Sequence, residues 1–428
     1  MNKIELIKAE RDGLEIKSDL QRFAEEGWES ISEDDIQRLK WYGLFLRNPT
    51  PGYFMLRVRI PNGFSFSHQV RALSWIAETY GNGVIDITTR QQVQLRHLNI
   101  ENIPKIFNLL EEVGLTTSQT GMDNVRNIMG CPVSGLSPKE KVDAYSLVKM
   151  LNEHIVGNPE FSNLPRKFNI TLSGCPDDCV HAETQDLALV PAVLEKNGDS
   201  VYGFNILVGG KLGSGGYRMA SPLDVFLCPE EVVEVCSALI LLYRDHGSRD
   251  VRSKNRLAFL IEDWGEEKFR LELEESLGTS LTRAGVDLRG NEKSEHIGAY
   301  RQKQTSMNYV GLKIPVGRIQ AAKLKELARL AEKYGNEEIR FSHSNSLVIP
   351  NVSDQKLGDM LEEAVVKEFS YHPSSVLRGL VSCVGSDYCN LAAIETKSMA
   401  LKVAAQLEGK LPDTAPINMH WSGCPAAC

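Results

Sequence analysis

The sequence predicts an α+β protein built by internal duplication, with two α/β lobes and further sheet-forming segments. Three observations carry this. RVRIPNG at 57–63 returns as GLKIPVG at 311–317, and AETYGNGVIDITTRQQVQL at 77–95 returns as AEKYGNEEIRFSHSNSLVI at 331–349, both at an offset of 254 residues. Phe54, Leu56, Val58 and Ile60 alternate with Met55, Arg57 and Arg59, the period of a half-buried strand. Val70, Leu73, Ile76, Ala77 and Tyr80 fall at helical spacing, as do Leu324, Leu327, Leu330 and Ala331.

The elements follow in order. Residues 1–45 read as a polar helical extension. Residues 46–120 form the first repeat lobe, read as strand, helix, strand, helix, with its last helix at 101–113. Residues 121–245 form a separate domain with strands at RKFNITL and FNILVGG. Residues 246–300, rich in charge (DWGEEKFRLELEESLG), read as a connecting helical segment. The second lobe covers 301–370, with its last helix at 354–366, and residues 371–428 close the chain.

The repeat extends into cysteine-bearing loops. RNIMGC at 126–131 matches RGLVSC at 378–383, and SGCPDDC at 173–179 matches SGCPAAC at 422–428. Cys131, Cys175 and Cys179 therefore stand in the places of Cys383, Cys424 and Cys428, and Ser137 stands in the place of Cys389. Duplication followed by division of labour accounts for this, each half supplying one wall of a shared site. Two purely structural lobes are the plainer reading. The complete set of four thiols lies in the second half.

The 428 residues suffice for several buried cores. The composition, 42% hydrophobic and 24% charged, is that of a globular protein. A formal charge of −8 argues against non-specific nucleic-acid binding. The richest apolar run, Ala238 to Tyr243, is broken at Arg244, so no membrane span is expected. The N-terminus mixes acid and base without an apolar signal region, and a cytoplasmic location is expected. In a reducing compartment nine cysteines point to metal or catalysis before disulfides.

Cys383 and Cys389 are spaced C-x5-C, and Cys424 and Cys428 C-x3-C. Zinc sites favour gaps of two to four residues, whereas iron–sulfur clusters tolerate wider ones because a cluster is larger than one ion. A cluster is the preferred reading, with zinc and buried structural thiols as the alternatives. The candidate anion-binding cations are Arg90 in ITTRQ, Arg126 in GMDNVRN, and Arg166 with Lys167 in NLPRKFN. Lys167 and Asn169 alternate along one strand and share a face. Each arginine alone reads as a solvated surface residue. Together, near repeat junctions, they can offset the desolvation of a small anion, which one cation cannot.

ITTRQ, the TSQTGMDNVRN loop, GNPEFSNLPRKFN, CxxxCVHAE, FNILVGG and the C-x5-C and C-x3-C pairs run in order along nearly the whole chain. Together they resemble the sirohaem-containing nitrite and sulfite reductases, and most of all the ferredoxin-dependent assimilatory nitrite reductases. The resemblance implies two ferredoxin-like α/β lobes plus sirohaem-binding mixed-sheet domains, with the cofactor at the interface. Residues 121–245 become the sirohaem and substrate domain, and 371–428 the cluster-binding segment. It implies a 4Fe–4S cluster on Cys383, Cys389, Cys424 and Cys428, with Cys428 bridging to the sirohaem iron. Arg90, Arg126, Lys167 and Asn169 would hold the anion, and Arg166 would pair with sirohaem carboxylates. Thr117 and Gln119 of the TSQTG loop, with Gly209 and Gly210, would line the macrocycle.

The resemblance also implies six-electron reduction of nitrite to ammonia. Asn169 is the discriminator, since similar sulfite reductases carry a lysine there, suited to a dianion. Sulfite reduction is the alternative. VGGKLGSGG lacks the G-x-G-x-x-G order, so electrons are expected from a partner, ferredoxin, docking on a basic patch of a protein expected to be monomeric. Cys131, Cys175 and Cys179 are expected to be inert core thiols. Relatives continue beyond the last ligand, so 371–428 reads as truncated, and a non-catalytic protein that binds cluster or sirohaem is the third reading.

Overall fold

In the computed structural model the residues described are 2–196, 198–213, 215–290, 293–411 and 416–426. Helices α1 (Lys3–Glu10), α2 (Leu20–Glu26) and α3 (Glu33–Arg38) form an N-terminal layer. It is anchored by apolar Ile16 and Phe23, and by Trp41, all buried.

The first lobe comprises β1 (Leu44–Leu46), β2 (Phe54–Val58), β3 (Phe64–Phe66), α4 (Ser67–Tyr80), β4 (Val84–Ile87), β5 (Val93–Leu98) and α5 (Ile103–Glu112). The central domain follows with β6 (Val125–Gly130), α6 (Ala144–Ile155), β7 (Phe168–Leu172), β8 (Leu187–Lys196), β9 (Asp199–Val208), β10 (Ser221–Leu227), α7 (Val232–His246) and α8 (Leu257–Leu277). Its sheet runs β10-β9-β8-β7-β6, parallel from β6 to β8 and antiparallel beyond. Helices α6, α7 and α8 share one apolar core with this sheet. After α8 the chain is mostly extended, with β11 (Val286–Asp287) adding to β8. Helix thus fills only part of the 246–300 segment.

The second lobe repeats the first: β12 (Gly298–Arg301), β13 (Met307–Lys313), β14 (Arg318–Gln320), α9 (Ala321–Tyr334), β15 (Glu338–Phe341), β16 (Ser346–Ser353), α10 (Asp354–Glu362) and α11 (Ala364–Phe369). Helix α12 (Ser375–Arg378), β17 (Leu380–Ser382), α13 (Lys397–Leu407) and β18 (Met419–Trp421) complete the described chain. Strands β17 and β18 pair in parallel as β6 and β7 do. No helix among the described residues is long and apolar enough to cross a membrane.

Each lobe is richer than strand, helix, strand, helix. ITTRQ is a tight turn between two strands, β4 and β5, and each lobe lends a short strand to the other. β3 pairs with β15, Ser65 opposite Ile339, and β14 pairs with β4, Ile319 opposite Ile85. The sheets therefore read β1-β2-β5-β4-β14 and β12-β13-β16-β15-β3. The crossing points demand glycine. Gly63 and Gly317 have φ of +72° and +70°, and an added Cβ would lie 2.0 Å from the Phe341 carbonyl oxygen and 2.5 Å from that of Ile87. The same two carbonyls accept side-chain amides from the partner lobe: Gln91 Nε2 donates to Phe341 O (3.2 Å) and Asn345 Nδ2 to Ile87 O (2.9 Å). The two lobes share one continuous apolar core, in which α4 packs against α9.

Strand β2 and the residues after it are buried on both faces, not one. Met55 and Arg59 are both interior. The Arg59 guanidinium has no carboxylate among its hydrogen-bond partners. It donates to the carbonyls of Ser118, Gln119, Val125 and Arg126 and to Asn152 Oδ1, at 2.8–3.2 Å, and burial pulls its pKa down to about 9. Lys313, its counterpart in the repeat, donates to Ser344 O (2.7 Å) and Leu380 O (2.8 Å). Burial lowers its pKa to about 7 against the opposing pull of Glu295.

Arg59→Met should lower stability by about 3 kcal/mol or more, because buried carbonyls left without a donor cost roughly 1–3 kcal/mol each. An unchanged thermal midpoint would refute this role. Lys313 has a folded pKa below its unfolded one. Its contribution is therefore fully present only above the unfolded value and is lost as pH falls toward 7. The stability difference between wild type and Lys313→Met should change between pH 7 and pH 10 by up to about 1.4 kcal/mol per pH unit, read from thermal midpoints at each pH.

Candidate active site

Three of the predicted residues meet on one wall of one cavity. Arg90 sits in the turn after β4, where Thr88 Oγ1 accepts the amides of Arg90 and Gln92 and Gln91 takes φ of +57°. Asn127 Nδ2 donates to the Arg90 carbonyl (2.8 Å). Arg90 Nε donates to Asn169 Oδ1 at 3.0 Å. Asn169, on β7, donates its backbone N–H to Asp186 (2.8 Å), and Arg256 clamps both oxygens of this buried carboxylate at 2.8 and 2.7 Å. Lys167 precedes β7 and opens into the same cavity. Strand alternation sets this, as the spacing of 167 and 169 predicts.

The cavity encloses about 1110 Å³ of space, open solvent at its mouth included. Both halves line it: Arg90, Lys167 and Asn169 from the first, and His343, Arg378, Val381, Asn418 and His420 from the second. Arg256 and Lys293 add two more cations. His343 is held neutral, its pKa well below the usual value through burial and neighbouring His181.

Arg126 and Arg166 stand beside the cavity and do not line it. Arg126 donates to Thr120 O and Met122 O, both at 2.8 Å. Burial and the fields of Arg57, Arg90 and Arg166 pull its pKa well down. Arg166 lies 3.8 Å from Asp123, a buried carboxylate that Arg252 holds through both oxygens. The Nε atoms of Arg126 and Arg166 are buried without a partner. Gln119 is turned away, accepting from Gly157 N (2.7 Å), and Thr117 lines a separate small pocket. Gly209 and Gly210 pack on the carbonyls of Asp186 and Gln185, where a Cβ on Gly210 would lie 2.6 Å from Gln185 O.

The cysteine loops begin where the cavity wall ends. Val381 and His420 line the cavity, and Cys383 and Cys424 lie just beyond the ends of the two paired strands that carry them. Gly423 N–H donates to Cys383 Sγ (3.3 Å), and Ala393 N–H to Gly423 O (2.9 Å), drawing the Cys389 loop alongside. Cys383, Cys389 and Cys424 are partly exposed, and their sulfurs do not all lie within the 4.8 Å of one another that a single ion would draw together. Thiols spread in this way suit a multi-iron cluster. Cys428 lies outside the described residues.

Some cavity residues were not anticipated. Arg378 occupies the place of Arg126 in the repeat and was readable from that alone. His343 likewise holds the place of Thr89. Arg256 and Lys293 carry no local signal, since each is a single cation in an ordinary polar stretch.

A duplicated chain with a cation-lined cavity at its internal junction, and cysteine loops at the cavity wall, defines a redox protein holding a large anionic cofactor beside a cluster. Residues 121–281 match the nitrite and sulphite reductase 4Fe-4S domain, and residues 47–113 and 300–365 match the nitrite/sulfite reductase ferredoxin-like half domain. The ferredoxin–nitrite reductases of Leptolyngbya laminosa and Synechococcus elongatus are 45% and 44% identical to it, each over 100% of this chain and 84% of the relative. The solved structure of the NirA protein of Mycobacterium tuberculosis superposes with a TM-score of 0.93 at 30% identity, over 100% of this chain and 81% of that one. The chain belongs to the nitrite and sulfite reductase family.

Asp186 supports the anion wall from behind. Asp186→Asn leaves Arg256 buried without its counter-charge and should cost about 3–5 kcal/mol, seen as a lowered thermal midpoint. A midpoint equal to wild type would show that Arg256 finds another partner.

Proposed function

We propose that this chain reduces nitrite to ammonium by six electrons: NO2⁻ + 8 H⁺ + 6 e⁻ → NH4⁺ + 2 H2O. The observation that carries the reading is the Arg90–Asn169 hydrogen bond beside Lys167, on the wall of a cavity lined by both halves of the chain. Sirohaem carries eight carboxylates. The residues fit it: Arg256, Lys293 and Arg378 line the walls, and Arg126 and Arg166 stand behind them, each with a buried Nε that has no partner. Cys383, Cys389 and Cys424, with Cys428, would hold the 4Fe–4S cluster. When bound, the two groups supply the iron and the electron path for the reduction.

The chain's own residues do the rest. Arg90 and Lys167 stabilise the anion at the cavity wall, with Arg126 adding positive charge from behind it. Lys167 holds an ammonium at the cavity wall and delivers protons as the nitrogen gains them. Asn169 accepts from Arg90 and aims that guanidinium, a duty a lysine there cannot perform because an ammonium accepts nothing. Arg166, behind the wall near Asp123, adds positive charge toward the macrocycle carboxylates. Gly209 and Gly210 let backbone approach the ring, while Thr117 and Gln119 shape the loop behind Arg126.

The proposal extends to reduced ferredoxin as the electron donor, as the names of its relatives suggest, and to a monomeric cytoplasmic protein. It divides the chain into an N-terminal extension to 45, lobes at 46–120 and 301–370, a sirohaem and substrate domain at 121–245, a connection to 300, and a cluster segment from 371.

The visible spectrum of purified protein, expressed with iron and sirohaem supply, should show sirohaem bands that shift on adding nitrite. A colourless product would overturn the assignment. Asn169→Lys should raise kcat/KM for sulfite relative to nitrite, and an unchanged ratio would remove Asn169 from anion selection.

A further inference from the structure

The first half keeps three thiols in the places of cluster ligands, and none of them takes part in the reaction proposed above. Cys131, Cys175 and Cys179 are each about 1% exposed. His296, also buried, joins them from the segment that enters the second lobe. Its Nε2 lies 3.5 Å from Cys131 Sγ. The ligand atoms of Cys131, Cys179 and His296 all lie within 4.8 Å of one another. Cys175, buried beside them with its Sγ 3.7 Å from Ser137 Oγ, stands outside that 4.8 Å group.

We propose that Cys131, Cys175, Cys179 and His296 form a second metal centre, a closed tetrahedral site for one zinc ion. Cys131, Cys179 and His296 already have the spacing of such a site before metal enters, and Cys175 would turn in to close the fourth corner. Zn–S near 2.3 Å and Zn–N near 2.05 Å at a tetrahedral angle place sulfur and nitrogen about 3.6 Å apart, close to the 3.5 Å found. Three thiolates and one imidazole are a common set for structural zinc. Uptake of Zn²⁺ by the three thiols releases three protons and leaves the imidazole neutral.

The surroundings support the ligands. His296 Nδ1 stands 3.4 Å from both Ser294 Oγ and Tyr309 Oη, which hold the ring with Nε2 toward the sulfurs. Arg340 donates to Pro132 O (3.0 Å) and Ser134 O (2.7 Å), pinning the loop that carries Cys131. Ser137 Oγ, in the place of the fourth cluster ligand, remains 3.7 Å from Cys175 Sγ. Loss of that fourth thiol removes a corner of a cluster site, and His296 supplies a nitrogen closer in. A smaller, single-ion site results. Packing of three thiols alone does not require a buried imidazole nitrogen on one of the sulfurs. The ion would tie two loops of the central domain to the start of the second lobe. Zinc has no redox chemistry, so it would not divert electrons although Cys179 also borders the cavity.

The test uses full-length protein carrying its cofactors, without a histidine tag, grown with zinc and purified without chelator. Zinc and iron are counted by mass spectrometry, and the zinc environment is read by X-ray absorption. About one zinc per chain with three sulfurs and one nitrogen is expected. His296→Ala should release the zinc while iron content stays level, and His296→Cys should keep zinc with four sulfurs. Wild-type protein with full iron but less than roughly a tenth of a zinc per chain overturns the proposal. So does zinc retained in His296→Ala with an unchanged absorption spectrum. The wild-type count and spectrum stand even if a variant fails to fold.

Discussion

One buried guanidinium organises the first half of this protein. Arg59 leaves its strand, turns inward and takes up the carbonyls of Ser118, Gln119, Val125 and Arg126. These belong to the loop that carries Arg126 and to the start of the strand that leads to Cys131. With no carboxylate to neutralise it, the charge is spread over backbone dipoles, and the loop is held by a donor that does not compete for the cavity's anions. Lys313 plays the same part with fewer donors, joining the turn at Ser344 to the strand at Leu380. Each lobe is thereby coupled to its own sheet, and the cavity lies where the two couplings face each other.

Charge in the interior is otherwise matched with care. Asp86 accepts from Arg96 on the neighbouring strand and from Arg318 on the strand lent by the other lobe, with Lys397 of α13 at 3.7 Å. Its carboxyl is held far below the usual range by these three cations, which outweigh its burial. Asp186 and Asp123 accept Arg256 and Arg252 through both oxygens behind the anion wall. Arg256, which lines the cavity, is thereby fixed by a buried carboxylate behind the wall.

Much of this was legible in the chain. The 254-residue echo exposed the duplication because matched residues included turns and charged positions as well as core. Lys167 and Asn169 were placed together by strand alternation alone. Other features were not legible. ITTRQ reads as the end of one strand, since nothing local distinguishes a strand end from a two-strand turn that depends on Gln91 reaching across to Phe341. The lent strands are only three residues long, and their partners lie more than 200 residues away, beyond any periodicity. Arg256 and Lys293 reach the cavity through tertiary packing, which leaves no spacing signature. Gln119, read as a macrocycle contact, instead closes a turn at Gly157.

The exchange of β3 and β14 has a consequence for how such a chain arose and how it folds. Two identical lobes, each completing the other's sheet, form a closed two-fold pair with no free strand edge between them, the arrangement of a domain-swapped homodimer. Fusing the two genes would preserve every one of these pairings while making them intramolecular. It would also free each copy to lose what the other retained. The cost is kinetic. The edge of β4 must wait for residues 318–320 to be synthesised before it is covered, so the first lobe passes through an interval with an unpaired edge. Neither lobe is a self-sufficient unit, and the smallest piece of this protein that can close its sheets contains both.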